Sequence, residues 1–290
     1  MIQREINGTG IQVTAIGLGA MPLSIQGRPT EEQAFQVIEA FLAAGGNFID
    51  TANVYCLDDS DVGHNERLIV KVLDQMGRRD QVLVATKGGL RRPKGEWVID
   101  GDPKFLRQSC EQSLKDLKTD CIELYQLHAV DPNIGLLPSL EELIKLRDEG
   151  KIRHIGLSNV ISLDILQAAL DHAPIVSIQN RCNPFEQRDF ANGLIDYCRF
   201  KGITYIPHSP VGGHYGHVRL GHSELFGRLA EKHRSSRYGI ALAWLLAKGE
   251  HIIPIPGASK PTSITDSMLA LHIRLDPDDI RAIDSLPELR

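Results

Sequence analysis

The sequence predicts a parallel (β/α)8 barrel of the TIM type, on three observations. Short Val/Ile/Leu-rich runs alternate with helical stretches from residue 16 almost to the end of the chain. Most of the runs are continuous rather than alternating, as strands buried on both faces require. Ionisable residues close three successive runs, Asp50, Lys87 and His128, and functional residues at successive strand ends mark the catalytic face of such a barrel.

A length of 290 residues suits one barrel or two ordinary domains. No linker or low-complexity segment divides the chain, so residues 1–290 read as a single domain. Residues 2–6 and 11–14 flank the turn residues Asn7, Gly8 and Gly10 and read as an N-terminal β-hairpin, expected to plug the bottom of the barrel. The first barrel strand is 16–19. Gly17 and Gly19 have no third glycine at the spacing of a dinucleotide fingerprint, which disfavours a Rossmann phosphate loop.

Thr30 suits the N-cap of a helix over 31–44, with Gln33 placed for a capping box and Gly45-Gly46 as its stop. A strand at 48 follows, then a helix over 65–76, strand 82–87, helix 104–117, strand 122–128 and helix 138–149. The second half repeats the rhythm: strand 153–157, helix 163–172, strand 175–178, helix 190–201 and strand 203–206. A Gly/His-rich loop (211–221) precedes helices over 224–235 and 240–247 and the eighth strand, 252–255. Helical pieces over 263–271 and 278–286 end the chain.

Composition is that of a soluble globular protein, with 42% apolar residues, 24% charged and a net charge of −5. That mild acidity gives no reason to expect nucleic acid or anionic lipid as partner, and no apolar run is long enough to span a bilayer. The opening residues lack the apolar core of a secretory signal. Five dispersed cysteines form no C-x-x-C, and they read as reduced thiols of a cytoplasmic protein. Cys56 follows Tyr55 directly, but no cation beside it in sequence would activate it. His214, His217 and His222 lack a carboxylate or thiol partner at ligand spacing, so no metal site is expected.

Asp50 ends the stretch N-F-I-D-T-A-N-V-Y (47–55), and Tyr55 follows five residues later on a loop. With Lys87 and His128 they can share one pocket. A lone strand-end Asp or Lys is commonly half of a structural ion pair, and a lone Tyr or His a packing residue. The joint pattern favours chemistry.

With these residues in place, the chain resembles the aldo-keto reductases over about 14–267. The resemblance rests on F-I-D-T-A-N-V-Y, G-H-N-E (63–66), the strand-terminal T-K and L-H, I-G-L-S-N (155–159), I-Q-N (178–180), H-S-P (208–210) and I-P-G-A-S-K-P (255–261). It implies reduction of an aldehyde or ketone, or the reverse, with a nicotinamide cofactor and no metal. It maps the catalytic set onto Asp50, Tyr55, Lys87 and His128. Reduction of a carbonyl needs a proton for oxygen as well as a hydride for carbon, and on this resemblance Tyr55 is the expected proton donor. A free phenol near pKa 10 holds its proton too tightly for this, and the Lys87 ammonium is expected to lower that value. Asp50 would orient the ammonium, and a neutral His128 would donate a hydrogen bond to the carbonyl oxygen. It also implies carboxamide contacts from Ser158, Asn159 and Gln179, and pyrophosphate contacts from Ser209, Pro210, Gly212 and Gly213. Adenosine-phosphate contacts fall on Gly257, Ala258, Ser259 and Lys260, with Gly19, Met21 and Asp50 also beside the cofactor. Without the resemblance, Ser158-Asn159 would read as the cap of the following helix.

Two departures from the family's pattern stand out. His208 takes the place of a tyrosine that stacks on nicotinamide, so cofactor affinity is expected to vary across the imidazole titration range. Ser263 stands where an arginine often grips the 2′-phosphate, and Ser267 where an amide often meets adenine. Only Lys260 and serine hydroxyls remain to read that phosphate, so NADPH is favoured by the family's habit alone, with NADH possible. Met21, Val54, Trp97 and His128 are the expected substrate contacts, and Arg91, Arg92 and Lys94 form a basic patch able to attract an anion, although a solvated loop is the plainer reading. Competing readings are a lyase using Lys87 as a Schiff base and, as in potassium-channel β subunits, a cofactor-sensing partner with little turnover. The carbonyl substrate, direction and oligomeric state stay open.

Overall fold

The computed structural model describes residues 2–287, apart from the side chains of residues 214 and 215. β1 (Gln3–Ile6) and β2 (Ile11–Thr14) pair antiparallel, turning through Gly8 and Gly10 at φ 75° and 76°. Ile6 and Val13 pack with Phe48, Leu83, Ala85, Leu124, Ile206 and Ile253 inside the lower barrel. The Asn7 amide donates to Thr204 Oγ1 at 2.8 Å, so the hairpin plugs the bottom as expected.

The chain then alternates strand and helix: β3 (Leu18–Gly19), α1 (Glu31–Ala43), β4 (Phe48–Asp50), α2 (His64–Met76) and β5 (Leu83–Gly88). An unforeseen arm follows, with β6 (Leu90–Arg91) paired to β7 (Val98–Ile99). After it come α3 (Pro103–Asp116), β8 (Ile122–Leu127), α4 (Leu136–Asp148), β9 (Ile152–Ser158), α5 (Leu163–Leu170) and β10 (Ile175–Arg181). The rest is α6 (Arg188–Ala191), α7 (Leu194–Lys201), β11 (Thr204–His208), α8 (Gly213–His222), α9 (Glu224–His233), α10 (Arg237–Ala247), α11 (Pro261–Leu269) and α12 (Pro277–Asp284).

β3, β4, β5, β8, β9, β10 and β11 form one parallel sheet in that order. The eighth segment, read as strand 252–255, makes isolated bridges instead: Ile252 to Tyr205, Ile255 to His208, and Gly257 to Gly19. Two prolines explain the difference. On one edge Ile253 and Ile255 donate to Tyr205 and Pro207 at 2.9 and 3.1 Å. On the other, Pro254 and Pro256 accept from Gly17 and Gly19, each at 3.0 Å, but have no N–H to return. The barrel closes through a one-way seam, and β3 shortens with it.

Three other expectations change. The helix over 190–201 is divided, because Gly193 at φ 78° interrupts it between α6 and α7. The Gly/His-rich stretch, read as a loop, is α8, whose entry uses left-handed Gly212 and Gly213 (φ 95° and 69°) and which buries Leu220 completely. Interior glycines weaken a helix by about 1 kcal/mol each, and packing overrides that preference here. Thr30 Oγ1 does accept from the Gln33 amide at 3.3 Å. The Gln33 side chain, however, leaves the capping box and donates to the Ser259 carbonyl at 2.6 Å.

The seam leaves little slack. A Cβ at Gly19 would lie 2.8 Å from the Ile255 carbonyl oxygen. Gly19→Ala is therefore expected to destabilise the protein by about 1–3 kcal/mol through overpacking against backbone. Urea denaturation reads this directly, and a midpoint equal to the parent's would mean the seam yields freely.

Candidate active site

Parallel register brings the strand ends together. Asp50 is the last residue of β4, Lys87 lies on β5 beside Gln126 of β8, and His128 directly follows β8. Lys87 Nζ donates to Asp50 Oδ2 at 2.6 Å, to the Thr51 carbonyl at 2.9 Å and to Tyr55 Oη at 3.0 Å. These acceptors account for all three ammonium protons. The Tyr55 ring stands edge-on to His128 and to Trp97, with centroids 5.8 and 6.3 Å away. The structure thus gathers all four residues at the carboxyl ends of the strands, with Lys87 fully buried and the others nearly so.

Burial alone would lower the Lys87 pKa, but Asp50, followed by Tyr55, outweighs it and holds the ammonium above the ordinary lysine value. For Tyr55 the net direction is opposite to the sequence expectation. Burial raises the phenol, the charge and hydrogen bond of Lys87 pull it part of the way back, and Asp50 pushes it up again. The ammonium acts with the expected sign, but desolvation of a buried phenolate is the larger effect. Burial, helped by Lys87 and His208, drives His128 well below the ordinary imidazole value, so its ring is neutral near pH 7.

Ser158 ends β9 and is buried, while Asn159 adopts φ 56°. The Asn159 side-chain amide donates to the His128 carbonyl at 2.9 Å, and its backbone N–H to the Gln179 carbonyl at 2.9 Å. The following helix is capped by Ser162 rather than by this pair. Gln179 Nε2 donates to Asp50 Oδ1 at 2.7 Å.

His208 ends β11, its Nδ1 3.2 Å from Ser209 Oγ. Burial beside Lys87 and Arg181 lowers it to about 3. That shift favours the neutral ring in a half-buried position and argues against the expected dependence of cofactor affinity on its titration. Ser209 at φ 51°, buried Pro210, and left-handed Gly212 and Gly213 lead into the amino end of α8. Gly257, Ala258, Ser259 and Lys260 lead into α11, whose first amides receive no side-chain cap. Pro261 gives α11 no N–H at its first position and the Ser263 amide donates to the Lys260 carbonyl at 3.1 Å, which leaves the Thr262 N–H of that turn for an anion; N–H groups at helix starts suit phosphate. Ser263 is exposed on α11, whereas Ser267 is buried and donates to the Ser263 carbonyl at 3.0 Å.

Gly19 lies at the seam, and Met21 packs against Ala52, Val54, Tyr55 and Leu90. Val54 is only 1% exposed, so it backs this cluster and offers almost no open surface. Trp97 is 46% exposed between β6 and β7, with the Arg92 guanidinium 3.8 Å from its ring centroid. The basic patch is dispersed: Arg91 pairs with Asp100, Arg92 is buried under Trp97, and Lys94 alone of the three is exposed without an ion-pair partner among the described residues. Cys56 is buried, which pushes its thiol up to about 11. His217 Nδ1 lies 3.0 Å from the Gly213 carbonyl of its own helix, and the His214 side chain falls outside the described residues. Gln126 and the Thr51 carbonyl were not foreseen as part of the site. The signal for Gln126 was its place two residues before His128, on the same strand.

Comparison with known proteins gives the family and the fold. The chain matches the model of the aldo/keto reductase family over residues 15–288. It is 33% identical to a probable aldo-keto reductase of Glycine max, covering 96% of this chain and 87% of that protein. An aldo-keto reductase of Strobilurus tenacellus is 30% identical, with 95% and 89% covered. Among solved structures, a glycerol dehydrogenase of Gluconobacter oxydans superposes with a TM-score of 0.83 at 26% identity, covering 97% of this chain and 94% of that one. The chain belongs to the aldo/keto reductase family. With membership come an oxidoreductase chemistry and a nicotinamide cofactor.

The low value at His208 sets a pH dependence. Between about 3 and the ordinary imidazole value of 6.5 the unfolded chain holds a proton that the folded ring refuses. The His208 contribution to stability is therefore fully present above pH 6.5 and is lost as pH is lowered through that window. Urea unfolding at pH 7.5 and pH 5 should show His208→Gln losing less stability than the parent, by on the order of 1 kcal/mol at pH 5. NADH affinity should be equal at pH 6 and pH 8. An affinity that follows an imidazole titration would contradict the neutral ring.

Proposed function

We propose that this protein reduces an aldehyde or ketone to an alcohol with NAD(P)H, or runs the reverse reaction, with Tyr55 as the general acid. The observation that carries the proposal is the 3.0 Å contact between Tyr55 Oη and Lys87 Nζ, whose ammonium is held by Asp50 at 2.6 Å. Because burial raises the phenol, Tyr55 keeps its proton at neutral pH and has it to give. As the proton moves to the carbonyl oxygen, the phenolate left behind gains most from the adjacent ammonium. Neutral His128, beside the same ring, donates a hydrogen bond to the oxygen and holds the carbonyl in line.

Bound nicotinamide supplies the hydride. Ser158, Asn159 and Gln179 would hold its carboxamide, the 209–213 turn its pyrophosphate, and the 257–260 segment with Lys260 the adenosine phosphate. Their fit is supported by the two uncapped helix starts and by the donors and acceptors clustered around Gln179. NADPH is favoured and NADH remains a candidate. Residues 1–290 act as one cytoplasmic unit on a small molecule, with Met21, Trp97 and Leu90 walling the pocket beside Tyr55.

A Schiff base at Lys87 is disfavoured by geometry, since its ammonium already has three acceptors and is held above the ordinary lysine value. An amine nucleophile needs the free base.

Tyr55→Phe should lower turnover by about 10²-fold or more while leaving reduced-cofactor affinity within about twofold, since it removes one proton donor and little surface. The measurement pairs nicotinamide absorbance with cofactor titration, over aldehydes, ketones and polyols including glycerol. Undiminished turnover would remove Tyr55 from the acid role. Tight cofactor binding without turnover on any carbonyl would favour a sensing partner instead.

A further inference from the structure

Gln126 is fully buried, lies two residues before His128 and carries no role in the chemistry described above. On β8 it stands between Lys87 of β5 and Gly156 of β9. The missing side chain at Gly156 makes room for it and for Ser177. A Cβ there would lie 2.9 Å from Gln126 Cγ and 2.3 Å from Ser177 Oγ. Gln126 Nε2 donates to Asp50 Oδ1 at 3.2 Å, the oxygen that also accepts from Gln179 Nε2 at 2.7 Å. Gln179 Nε2 gives a second hydrogen bond to Gln126 Oε1 at 3.3 Å.

The chemistry of these groups decides which way both amides face. An ionised carboxylate only accepts, so each glutamine must turn its NH2 toward Asp50 Oδ1. Both Gln179 N–H groups are then used, one by Asp50 and one by Gln126 Oε1. Its Oε1 accepts no side-chain hydrogen bond among the described residues, which leaves an acceptor for a ligand amide. Reversing the Gln179 amide would set its oxygen against the oxygens of both Asp50 and Gln126. Asp50 Oδ2, meanwhile, is left to Lys87.

We propose that Gln126 is a positioning residue: it fixes the amide orientation of Gln179, so that a carbonyl acceptor faces the NH2 of the nicotinamide carboxamide, and it anchors the Asp50 oxygen that Lys87 does not use. The proposal rests on the cofactor reading above. It explains why a buried amide, rather than an aliphatic side chain, occupies this place in the barrel.

A double-mutant cycle tests it. Kd for NADPH and for NADH would be measured by fluorescence titration for the parent, Gln126→Met, Gln179→Met and the double variant, with thermal unfolding confirming that each folds. Gln126→Met keeps the volume and removes the amide. It should weaken reduced-cofactor binding about five- to tenfold, the scale of one hydrogen bond. The double variant should bind no more than about twofold worse than Gln179→Met alone, because the two residues act through one contact. Should Gln126→Met fail to fold, Gln126→Asn, whose amide is one methylene short of its partners, replaces it in the same cycle with the same expectation. Parent-like affinity in the Gln126 variant, or a double variant whose loss equals the product of the single losses, overturns the proposal. A parent protein that binds neither cofactor overturns the cofactor reading itself, a distinguishable result.

Discussion

The site depends on one buried ion pair. Lys87 and Asp50 meet at 2.6 Å with 0% and 2% of their side chains exposed. Removing two such charges from water is costly, and the attraction between them offsets that cost only when their remaining donors and acceptors are also satisfied. Here they are. The ammonium has the Thr51 carbonyl and the Tyr55 hydroxyl, and the carboxylate has two glutamine amides. Breaking such a pair from one side typically costs about 3–5 kcal/mol, because the surviving charge is left stranded. The strand ends are therefore bound to one another by electrostatics as well as by the sheet, and the phenol is held where the ammonium can act on it.

The surroundings keep that charge distinct. His128 and His208 are both driven toward the neutral form, and Lys87 contributes to each shift. Around the phenol, then, stands one permanent cation with imidazoles that stay uncharged near pH 7. Groups suited to phosphate lie elsewhere along the mouth, at the starts of α8 and α11, where backbone amides supply the positive potential. The proposed proton transfer and the proposed anion binding thus draw on different parts of the fold.

Much of this was legible in the sequence because it follows from period and position. Continuous apolar runs identified the buried strands, and the residues closing them fell on one face of the barrel, so Asp50, Lys87 and His128 could be grouped before any coordinates. What was missed has physical reasons. Pro254 and Pro256 look like interruptions inside an apolar run, yet they leave one edge of the segment able to donate, so a strand became a set of bridges. The 211–221 stretch shows its helix-breaking glycines plainly and hides the burial of Leu220 that overrides them. The direction of the Tyr55 shift needed a balance between desolvation and one neighbouring charge, and sequence supplies only the second.

Gly156 and Gln126 show how side-chain absence and presence act together. In I-G-L-S-N the glycine needs no unusual backbone angle; its role is to leave volume beside the barrel axis. A buried amide fills part of that volume and links Asp50 to Gln179, the residues proposed for the proton-transfer and cofactor-holding ends of the site. An apolar side chain of similar size would pack there equally well and would leave Asp50 Oδ1 with one donor instead of two. In a low-dielectric interior each missing donor to a carboxylate is expensive. The polar residue is thus required by the charge beside it, and the glycine by the space that Ser177 Oγ and Gln126 Cγ occupy.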